Sequence, residues 1–302
     1  LDEDFMSVRI GSGMVDSSFS INVPKNTIDL QDDELKKLPQ ELHQKYHLLK
    51  NAPIICDILN NQIIGVVGER KNRAKLLKNI VTQISTHHCY TEVKIIIIYD
   101  EKDIKEYKWM EKLPHTWDDD KQYCFVASSR NTAEVLFSGF VDVLKTRRHE
   151  VEAEGSYGSS IISVPYYLFI VAQPTFLSKS NPITEFLFDN KELGVGTILA
   201  VDNLKQLPKE CSQIIEIENA QGEIYTKENS SLRRKFILDN TNENEYETFA
   251  ISLSHILSDE ITVKNVIPKK VSFYEMLNIS KVEDIDLLKY WSTNDITVSL
   301  ST

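Results

Sequence analysis

Two patterns of apolar residues alternate through the middle of the chain. Short runs that are almost wholly apolar and rich in β-branched residues are typical of buried strands, and apolar residues spaced by three or four positions are typical of helices. The predicted strands are residues 62–68, 93–99, 123–127, 166–172 and 196–201. The predicted helices are residues 70–86, 105–112, 131–148, 182–191 and 245–257. This alternation predicts an α/β fold with a mainly parallel sheet flanked by helices.

The N-terminal part of the chain has a different pattern. Residues 5–10 alternate apolar and polar side chains, which predicts edge-like strands broken by Gly11 and Gly13. The charged amphipathic segment 33–50 predicts a helix with a kink at Pro39.

Three further segments predict turns or loops. An Asn pair separates the apolar residues 53–59 from the strand at 62–68, which predicts a hairpin. The strands at 214–217 and 223–225 flank a second turn and predict a terminal hairpin. The acidic, Gly-rich and Ser-rich residues 150–160 predict a flexible surface loop.

The composition is that of a folded chain and disfavours two classes of partner. Hydrophobic residues make up 41% and charged residues 26% of the 302 positions, which excludes low-complexity and wholly disordered classes. Acidic residues outnumber Lys and Arg by 45 to 34, so the net charge of -11 disfavours nucleic acid and anionic lipid. Apolar runs are far shorter than the ~20 residues of a membrane-spanning helix. The chain begins without Met, and we expect a piece of a longer protein.

The cysteines and histidines are not spaced like metal ligands. No C-x-x-C pair occurs, so buried reduced thiols are expected at Cys56, Cys89, Cys124 and Cys211. His43 and His47 could share a helix face, but the segment between them lacks the Glu of the zinc protease pattern. The sequence therefore predicts no metal site.

Residues 65–72 lie at the predicted turn from strand to helix, where a phosphate-binding G-x-x-x-x-G-K-[ST] loop would stand. Gly65 and Lys71 match that pattern, but Arg70 replaces the second glycine and Asn72 replaces the Ser or Thr. A side chain at position 70 hinders the folding of N–H groups around a phosphate, and Asn is not the usual Mg²⁺ ligand there. The sequence predicts a vestigial loop, without nucleotide binding, at Gly65, Gly68, Arg70, Lys71 and Asn72.

A second catalytic feature is also missing from the sequence. In phosphate-binding ATPases an acidic strand end holds Mg²⁺ and orients water. Here the apolar residues 168–171 are followed by Ala172 and Gln173, which supply no carboxylate. Asp100 and Glu101, at another strand end, form an alternative acidic pair. No catalytic residue is predicted.

A basic cluster follows the loop, at Arg70, Lys71, Arg73 and Lys75. One interpretation is a solvated helix face. Cations in a first helical turn oppose the helix dipole, however, so a phosphate or a partner carboxylate would relieve the repulsion. Both interpretations stay open at this point.

Four segments, taken in order, resemble one family. They are residues 5–11 (Phe-Met-Ser-Val-Arg-Ile-Gly), 65–70 (Gly-Val-Val-Gly-Glu-Arg), Trp109 with Leu113-Pro114-His115, and 273–277 (Phe-Tyr-Glu-Met-Leu). Together they resemble the region just before the first motor domain in the membrane-bound FtsK/SpoIIIE-type ATPases of type VII secretion, the EssC/EccC/YukB group. The resemblance covers essentially the whole chain.

The resemblance implies a RecA-like ATPase fold that has lost nucleotide chemistry. It implies a cytoplasmic domain of a bacterial cell-membrane protein, with no cofactor of its own, while ATP and Mg²⁺ serve later motor domains. The implied partners are the adjacent ATPase domain, other copies in a hexamer and other secretion-system membrane components. WXG-type substrates would be met only through other domains, and no nucleic acid is expected.

Three domains are expected on this basis. Residues 1–60 would form N-terminal strands and a helix packed on the core, residues 61–260 a degenerate P-loop ATPase-like domain, and residues 261–302 a connector toward the next motor domain. The leading hypothesis is a catalytically silent, non-enzymatic module that couples the membrane region to the motors and mediates assembly. The alternative is a regulatory or active ATP-binding module of the same motor. A Ser or Cys hydrolase is a third hypothesis, but no G-x-S-x-G occurs.

Overall fold

A computed structural model of the chain describes residues 4–19, 21–23, 34–154, 163–178, 180–188, 193–240, 242 and 245–256. The chain divides into two units, Leu1–Ile256 and Leu257–Thr302. The second unit lies outside the described residues, and so does most of the predicted connector. The expected boundaries at residues 60 and 260 stay predictions.

In the part of the chain that the structure describes, ten strands form one mixed sheet in the order β2-β1-β10-β9-β8-β3-β7-β6-β4-β5. The strands are β1 (Ser7–Asp16), β2 (Leu48–Asp57), β3 (Ile63–Gly68), β4 (Val93–Ile98), β5 (Val126–Ala127), β6 (Tyr166–Val171), β7 (Val195–Val201), β8 (Gln213–Glu218), β9 (Gln221–Thr226) and β10 (Arg234–Leu238). The six strands from β8 to β5 are parallel, and β9, β10, β1 and β2 extend the sheet in antiparallel fashion. The predicted α/β fold with a mainly parallel sheet is confirmed.

Helices cover the two sheet faces unequally. They are α1 (Glu34–Tyr46), α2 (Arg70–His87), α3 (Ile104–Tyr107), α4 (Arg130–Glu154), α5 (Ile183–Phe188) and α6 (Tyr246–Ser254). One face packs against α2, α3 and α6 in a core that includes side chains from both the parallel and the antiparallel strands. The other face packs against α4 and α5. Among the described residues, that second cluster contains no side chain of β1, β2, β9 or β10.

The predicted hairpin at the Asn pair is wrong. Strand β2 pairs with β1, whereas β3 lies between β7 and β8 in the middle of the parallel region. The apolar run of β3 is buried on both faces, which suits a central parallel strand and not a hairpin arm. The terminal hairpin of β8 and β9 is confirmed.

The predicted break at Gly11 and Gly13 is also wrong, because β1 runs through both glycines with two register shifts. A Cβ on Gly11 would lie 2.2 Å from the carbonyl oxygen of Ile237, and one on Gly13 would lie 2.3 Å from that of Lys235. The glycines therefore permit close approach of the β10 backbone. Strand β10 was not predicted from the sequence.

Other differences concern where elements end. Helix α4 continues to Glu154, so the first part of the predicted 150–160 loop is helical, and residues 155–160 lie outside the described residues. Strand β5 is two residues long, because Tyr123 is exposed and only Val126–Ala127 pair with β4. Pro39 lies inside α1.

Candidate functional site

The carboxyl ends of β3, β4, β6 and β7 meet at one edge of the sheet, which is where parallel α/β sheets bind ligands. Of the predicted loop residues, Gly65 and Gly68 lie within β3, and Arg70, Lys71 and Asn72 begin α2, so the predicted loop is wrong for its first part. The alternative acidic pair follows β4, and Ala172 and Gln173 follow β6. The topology thus brings the sequence-predicted residues to a single edge.

The connection from β3 to α2 consists of one residue, Glu69. Val66, Val67 and Gly68 are not looped out, because they pair with β8 as far as the Gly68–Ile217 position. Glu69 is extended and makes no side-chain cap for α2. A phosphate cradle needs several successive N–H groups that turn inward around the anion. A single-residue connection does not fit such a cradle.

The two glycines of the pattern serve packing at this position. A Cβ on Gly65 would lie 2.5 Å from Cδ1 of Leu207, so the glycine makes room for that side chain over β3. Gly68 has a φ of +151°, which disfavours other residues, and a Cβ there would lie 2.4 Å from the carbonyl oxygen of Ile217. Close packing and backbone conformation therefore explain why glycine occupies both positions, without any role for a ligand.

Arg70, which stands in place of the second glycine, bonds to a carboxylate of this chain. Its guanidinium Nε forms an ion pair with Asp103, in the turn after β4. The hydrogen bond from Arg70 to Asp103 raises the pKa of the arginine, and the charge of the carboxylate adds to this effect. Arg70 thus ties the start of α2 to the loop that follows β4.

Arg73 makes a second tie, to the loop that follows β7. Its Nη2 atom donates to Asp202 Oδ1 at 2.7 Å, and its side chain is only 9% exposed. Its Nε has no hydrogen-bond partner among the described residues. The buried Tyr107 lies close to both arginines, and burial raises the pKa of its phenol.

Two of the four cations of the predicted basic cluster, Arg70 and Arg73, are thus paired with carboxylates of this chain. Lys75 Nζ donates to Asn240 Oδ1 at 2.8 Å. Lys71 is exposed and forms no ion pair with the described part of the chain, and Asn72 beside it is half-buried. The sequence left open whether this cluster is solvated or meets an anion, and it did not identify Asp103 and Asp202, which are 30 or more positions away.

The strand end after β6 is polar but carries no carboxylate. The Gln173 side chain donates from Nε2 to Asp100 Oδ2 at 3.2 Å, and the N–H groups of Ala172 and Gln173 both donate to the Ile98 carbonyl. Asp100 Oδ1 in turn accepts from the Lys102 N–H and caps a short 3-10 turn. Asp100 thus accepts hydrogen bonds from the Gln173 side chain and from the backbone of the 3-10 turn. One of the two carboxylates of the alternative acidic pair therefore has structural hydrogen bonds.

These donors suit neither Mg²⁺ nor a nucleotide. Mg²⁺ prefers carboxylate oxygens and water in octahedral arrangement, and the described residues contain no group of three or more His, Cys, Asp or Glu side chains that could hold a metal. The arginines at the start of α2 already face carboxylates. The arrangement holds the loops after β4 and β7 against α2.

The other sequence candidates pack without forming a site. The His43 and His47 rings stack with centroids 5.1 Å apart, and His47 Nδ1 lies 2.8 Å from the His43 carbonyl oxygen. Cys56 and Cys211 are buried, whereas Cys89 and Cys124 are half-buried. Burial raises the pKa of the Cys56 and Cys211 thiols to about 12, so these thiols are protonated and unreactive at neutral pH. All four thiols are free.

Comparison with known proteins identifies relatives over nearly the whole chain. The type VII secretion system protein EssC of Staphylococcus aureus strain NCTC 8325 is 28% identical over 295 residues, which is 97% of this chain and 20% of EssC. The ESX secretion system protein YukB of Bacillus subtilis strain 168 is 25% identical over 307 residues, 99% of this chain and 20% of YukB. The chain thus spans about a fifth of these relatives. No protein-family model matches it.

Solved structures agree with the fold. The cytoplasmic domain of the Thermomonospora curvata type VII secretion ATPase EccC superposes with a TM-score of 0.54 and 12% identity, over 85% of this chain and 32% of that one. A complex of ATPases 2 and 3 of the same EccC with a signal sequence peptide gives 0.52 and 12%, over 82% and 47%. At this identity the likeness concerns the fold alone.

The fold indicates a class of domain, and the sequence similarity indicates a group of relatives. The sheet order and its flanking helices are those of an ATPase-like α/β domain. The sequence similarity over nearly the whole of this chain then confirms the resemblance to the EssC/EccC/YukB group of FtsK/SpoIIIE-type ATPases of type VII secretion. Among the described residues, none of the helices is both long and apolar enough to cross a membrane.

Proposed function

We propose that this chain is a catalytically silent ATPase-like module of a type VII secretion motor, which couples the membrane region to the ATPase domains and mediates assembly. The observation that carries the proposal is the one-residue connection between β3 and α2, with Arg70 paired to Asp103 where a phosphate would lie. The absence of a carboxylate at Ala172 and Gln173 supports it independently. The module needs no cofactor, whereas ATP and Mg²⁺ serve other domains of the parent protein.

The chemistry of the site supports a mechanical role. Arg70 holds the loop after β4 and Arg73 holds the loop after β7, so both loops move together with α2. Ion pairs that replace a nucleotide keep this edge in one arrangement without a turnover cycle. A force applied to one loop is then passed to the helix and the sheet, as a coupling element requires.

Titration calorimetry with ATP and Mg²⁺ tests this proposal. The complete chain should give no saturable heat up to millimolar nucleotide, and Lys71→Ala should behave like the unmodified chain. Lys145→Ala, at an exposed position of α4, is the matched control for removal of one surface lysine. Micromolar binding that is lost in Lys71→Ala and kept in Lys145→Ala would refute the silent module.

One observation favours the alternative of a regulatory or active nucleotide-binding module. Lys71 is exposed in the first turn of α2, where a P-loop lysine would reach a phosphate. Under this alternative the ion pairs of Arg70 and Arg73 would open on binding. ATP hydrolysis by the chain that disappears in Lys71→Ala would identify an active module, and binding without hydrolysis a regulatory one.

The relatives support a proposal for the setting of the module. The relatives are proteins of bacterial type VII secretion systems. We propose that the module belongs to the cytoplasmic part of a cell-membrane protein and contacts the adjacent ATPase domain, other copies in a hexamer and other membrane components of the secretion system. WXG-type substrates would be recognised by other domains of the parent protein.

A further inference from the structure

The chain after β4 contains a continuous helical segment. A 3-10 turn at residues 101–103, helix α3 and a second 3-10 turn at residues 108–112 follow one another directly. We call residues 101–112 the bridge segment. Four of its side chains contact α2 or α6, and they are spaced by three residues, which places them on one side of a 3-10 or α-helical turn. They are Asp103, Glu106, Trp109 and Lys112.

The first half of the bridge segment is held along α2 by two ion pairs. Asp103 pairs with Arg70 in the first turn of α2. Glu106 Oε2 accepts a hydrogen bond from Lys78 Nζ at 2.6 Å, about two turns further along the same helix. The Lys78 side chain is only 5% exposed, so the Glu106 carboxylate balances a buried charge. Both pairs therefore fix the position of the segment on α2.

The second half of the bridge segment contacts α6. The Trp109 ring stacks on the Tyr246 ring with centroids 5.0 Å apart, and both side chains are buried. Lys112 forms an ion pair with Glu247, the next residue of α6. The N-terminal turn of α6 thus rests on this half of the segment.

The two halves meet at one point on α2. The Lys78 Nζ that bonds to Glu106 also lies 5.2 Å from the centre of the Tyr246 ring. The neighbouring Asn79 accepts a hydrogen bond at its Oδ1 from the Tyr246 hydroxyl, at 3.2 Å. A continuous set of contacts therefore leads from the start of α2, through the bridge segment, to α6.

Helix α6 depends on these contacts for its own stability. It has nine residues, and Glu245 before it makes no side-chain cap. Isolated helices shorter than about 12–15 residues are marginal in water, so α6 is helical because it is packed. Local opening of such a helix is an equilibrium, and its position is set by the contacts that hold the helix. The 3-10 turns of the bridge segment have poorer hydrogen-bond geometry than an α-helix and likewise depend on side-chain contacts.

We propose that the bridge segment transmits the state of the Arg70–Asp103 ion pair to α6. While the pair is closed, the segment lies along α2 and holds α6 on the core. When Asp103 leaves Arg70, the segment loosens and α6 opens more often. Helix α6 ends at Ser254 and the first unit of the chain ends at Ile256. The inference rests on the coupling role in the proposed function and deepens it, by naming the residues that carry the coupling and the helix that receives it.

Hydrogen exchange of the complete chain, followed by mass spectrometry, tests the coupling. In Arg70→Gln we expect the amides of residues 246–254 to exchange at least about threefold faster than in the unmodified chain, because the bridge segment loses one of its ties. Lys71→Gln is the matched control. It removes one positive charge from the same turn of α2, but Lys71 forms no ion pair with the described part of the chain. Equal acceleration in both variants, or none in Arg70→Gln, would overturn the proposal.

The buried strand β4 serves as an internal reference in the same experiment. All six of its residues are buried, so its amides exchange only when a large part of the fold opens. We expect the β4 amides to exchange at the same rate in Arg70→Gln and in the unmodified chain. If β4 and α6 were accelerated by the same factor, global unfolding would explain the result and the proposal would be wrong.

The coupling should also act in the reverse direction, because a coupling free energy is reciprocal. Tyr246→Leu removes the ring that stacks on Trp109, and the amides of residues 103–107 should then exchange at least about threefold faster. Ile251→Ala, at a 41% exposed position of α6, should leave them unchanged. Unaltered exchange at residues 103–107 in Tyr246→Leu would contradict the proposal.

The coupling and the silent module fail in different experiments. All of the exchange measurements use the chain without nucleotide. Nucleotide binding in the calorimetric titration would refute the silent module and leave the response of α6 to Arg70→Gln intact. An α6 that does not respond to Arg70→Gln would refute the coupling through the bridge segment, whatever the titration shows.

Discussion

His115 shows how burial decides the role of a single residue. It belongs to the Leu-Pro-His segment that marks the family resemblance, and it is 2% exposed. Its Nε2 lies 2.9 Å from the His88 carbonyl oxygen, and its Nδ1 has no hydrogen-bond partner among the described residues. Tyr90 packs against the ring edge, and Lys94 lies nearby. The residue is thus part of the core and not a ligand.

Burial of His115 predicts a pH-dependent stability. Desolvation lowers its pKa from 6.5 to about 4, so the folded chain holds the neutral ring while the unfolded chain binds a proton below about pH 6.5. The unfolded state then binds more protons, and the free energy of unfolding falls between about pH 6.5 and pH 4, by up to about 3 kcal/mol. Urea unfolding across this range measures the fall.

Two variants test whether His115, and not another titrating group, causes the fall in the free energy of unfolding. In His115→Phe the free energy of unfolding should start lower, because the bond to His88 is lost, but its slope between pH 6.5 and 4 should be flatter. His149→Gln, at an exposed side chain, should retain the full slope. Parallel slopes for His115→Phe and the unmodified chain would show that His115 does not cause the pH dependence.

At the scale of elements, the local pattern of apolar residues was sufficient to predict where single strands and helices lie. The β-branched run of β4 and the helical spacing of α2 predicted both elements nearly to their ends. Strand partners were not predictable, because β2 and β3 are adjacent in sequence yet have four strands between them in the sheet. The candidate site was likewise predictable in its residues but not in their contacts. Its residues were predicted from motif and strand end, but the ion pairs of Arg70 and Arg73 depend on distant loops.

Gly65 and Gly139 should respond in opposite ways to replacement by Ala. A Cβ on Gly65 overlaps Leu207 above β3, and we expect Gly65→Ala to cost about 1–3 kcal/mol. Leu207→Ala in the same chain should recover part of this loss, since it removes the overlapping atoms. Gly139 lies in α4 with open space around it, so Gly139→Ala should add about 0.5–1 kcal/mol. Urea unfolding checks all three variants; a neutral Gly65→Ala would contradict the packing role.

At the scale of the whole molecule, tertiary contacts connect α2 to the loops at the carboxyl edge of the parallel strands. Helix α2 packs on one face of the sheet, and its first turn reaches the loops after β4 and β7. The chain is strongly acidic, with a net charge of -11, so internal carboxylates are abundant partners for a basic turn. The ion pairs of Arg70 and Arg73 leave fewer free cations for an anion at this edge. Removal of the internal carboxylates should therefore change the affinity of the edge for anions.

Asp103→Asn combined with Asp202→Asn should restore anion binding at the start of α2. Arg70 and Arg73 would lose their carboxylate partners, and pyrophosphate should bind at least about tenfold more tightly than to the unmodified chain, as measured by calorimetry at low salt. Asp16→Asn with Asp142→Asn changes the net charge equally, from -11 to -9, at exposed positions elsewhere and should leave the affinity unchanged. An equal gain in both double variants would assign the effect to net charge. No gain in either would mean that the short β3–α2 connection, and not the ion pairs, prevents anion binding, since one residue offers too few N–H groups for a cradle.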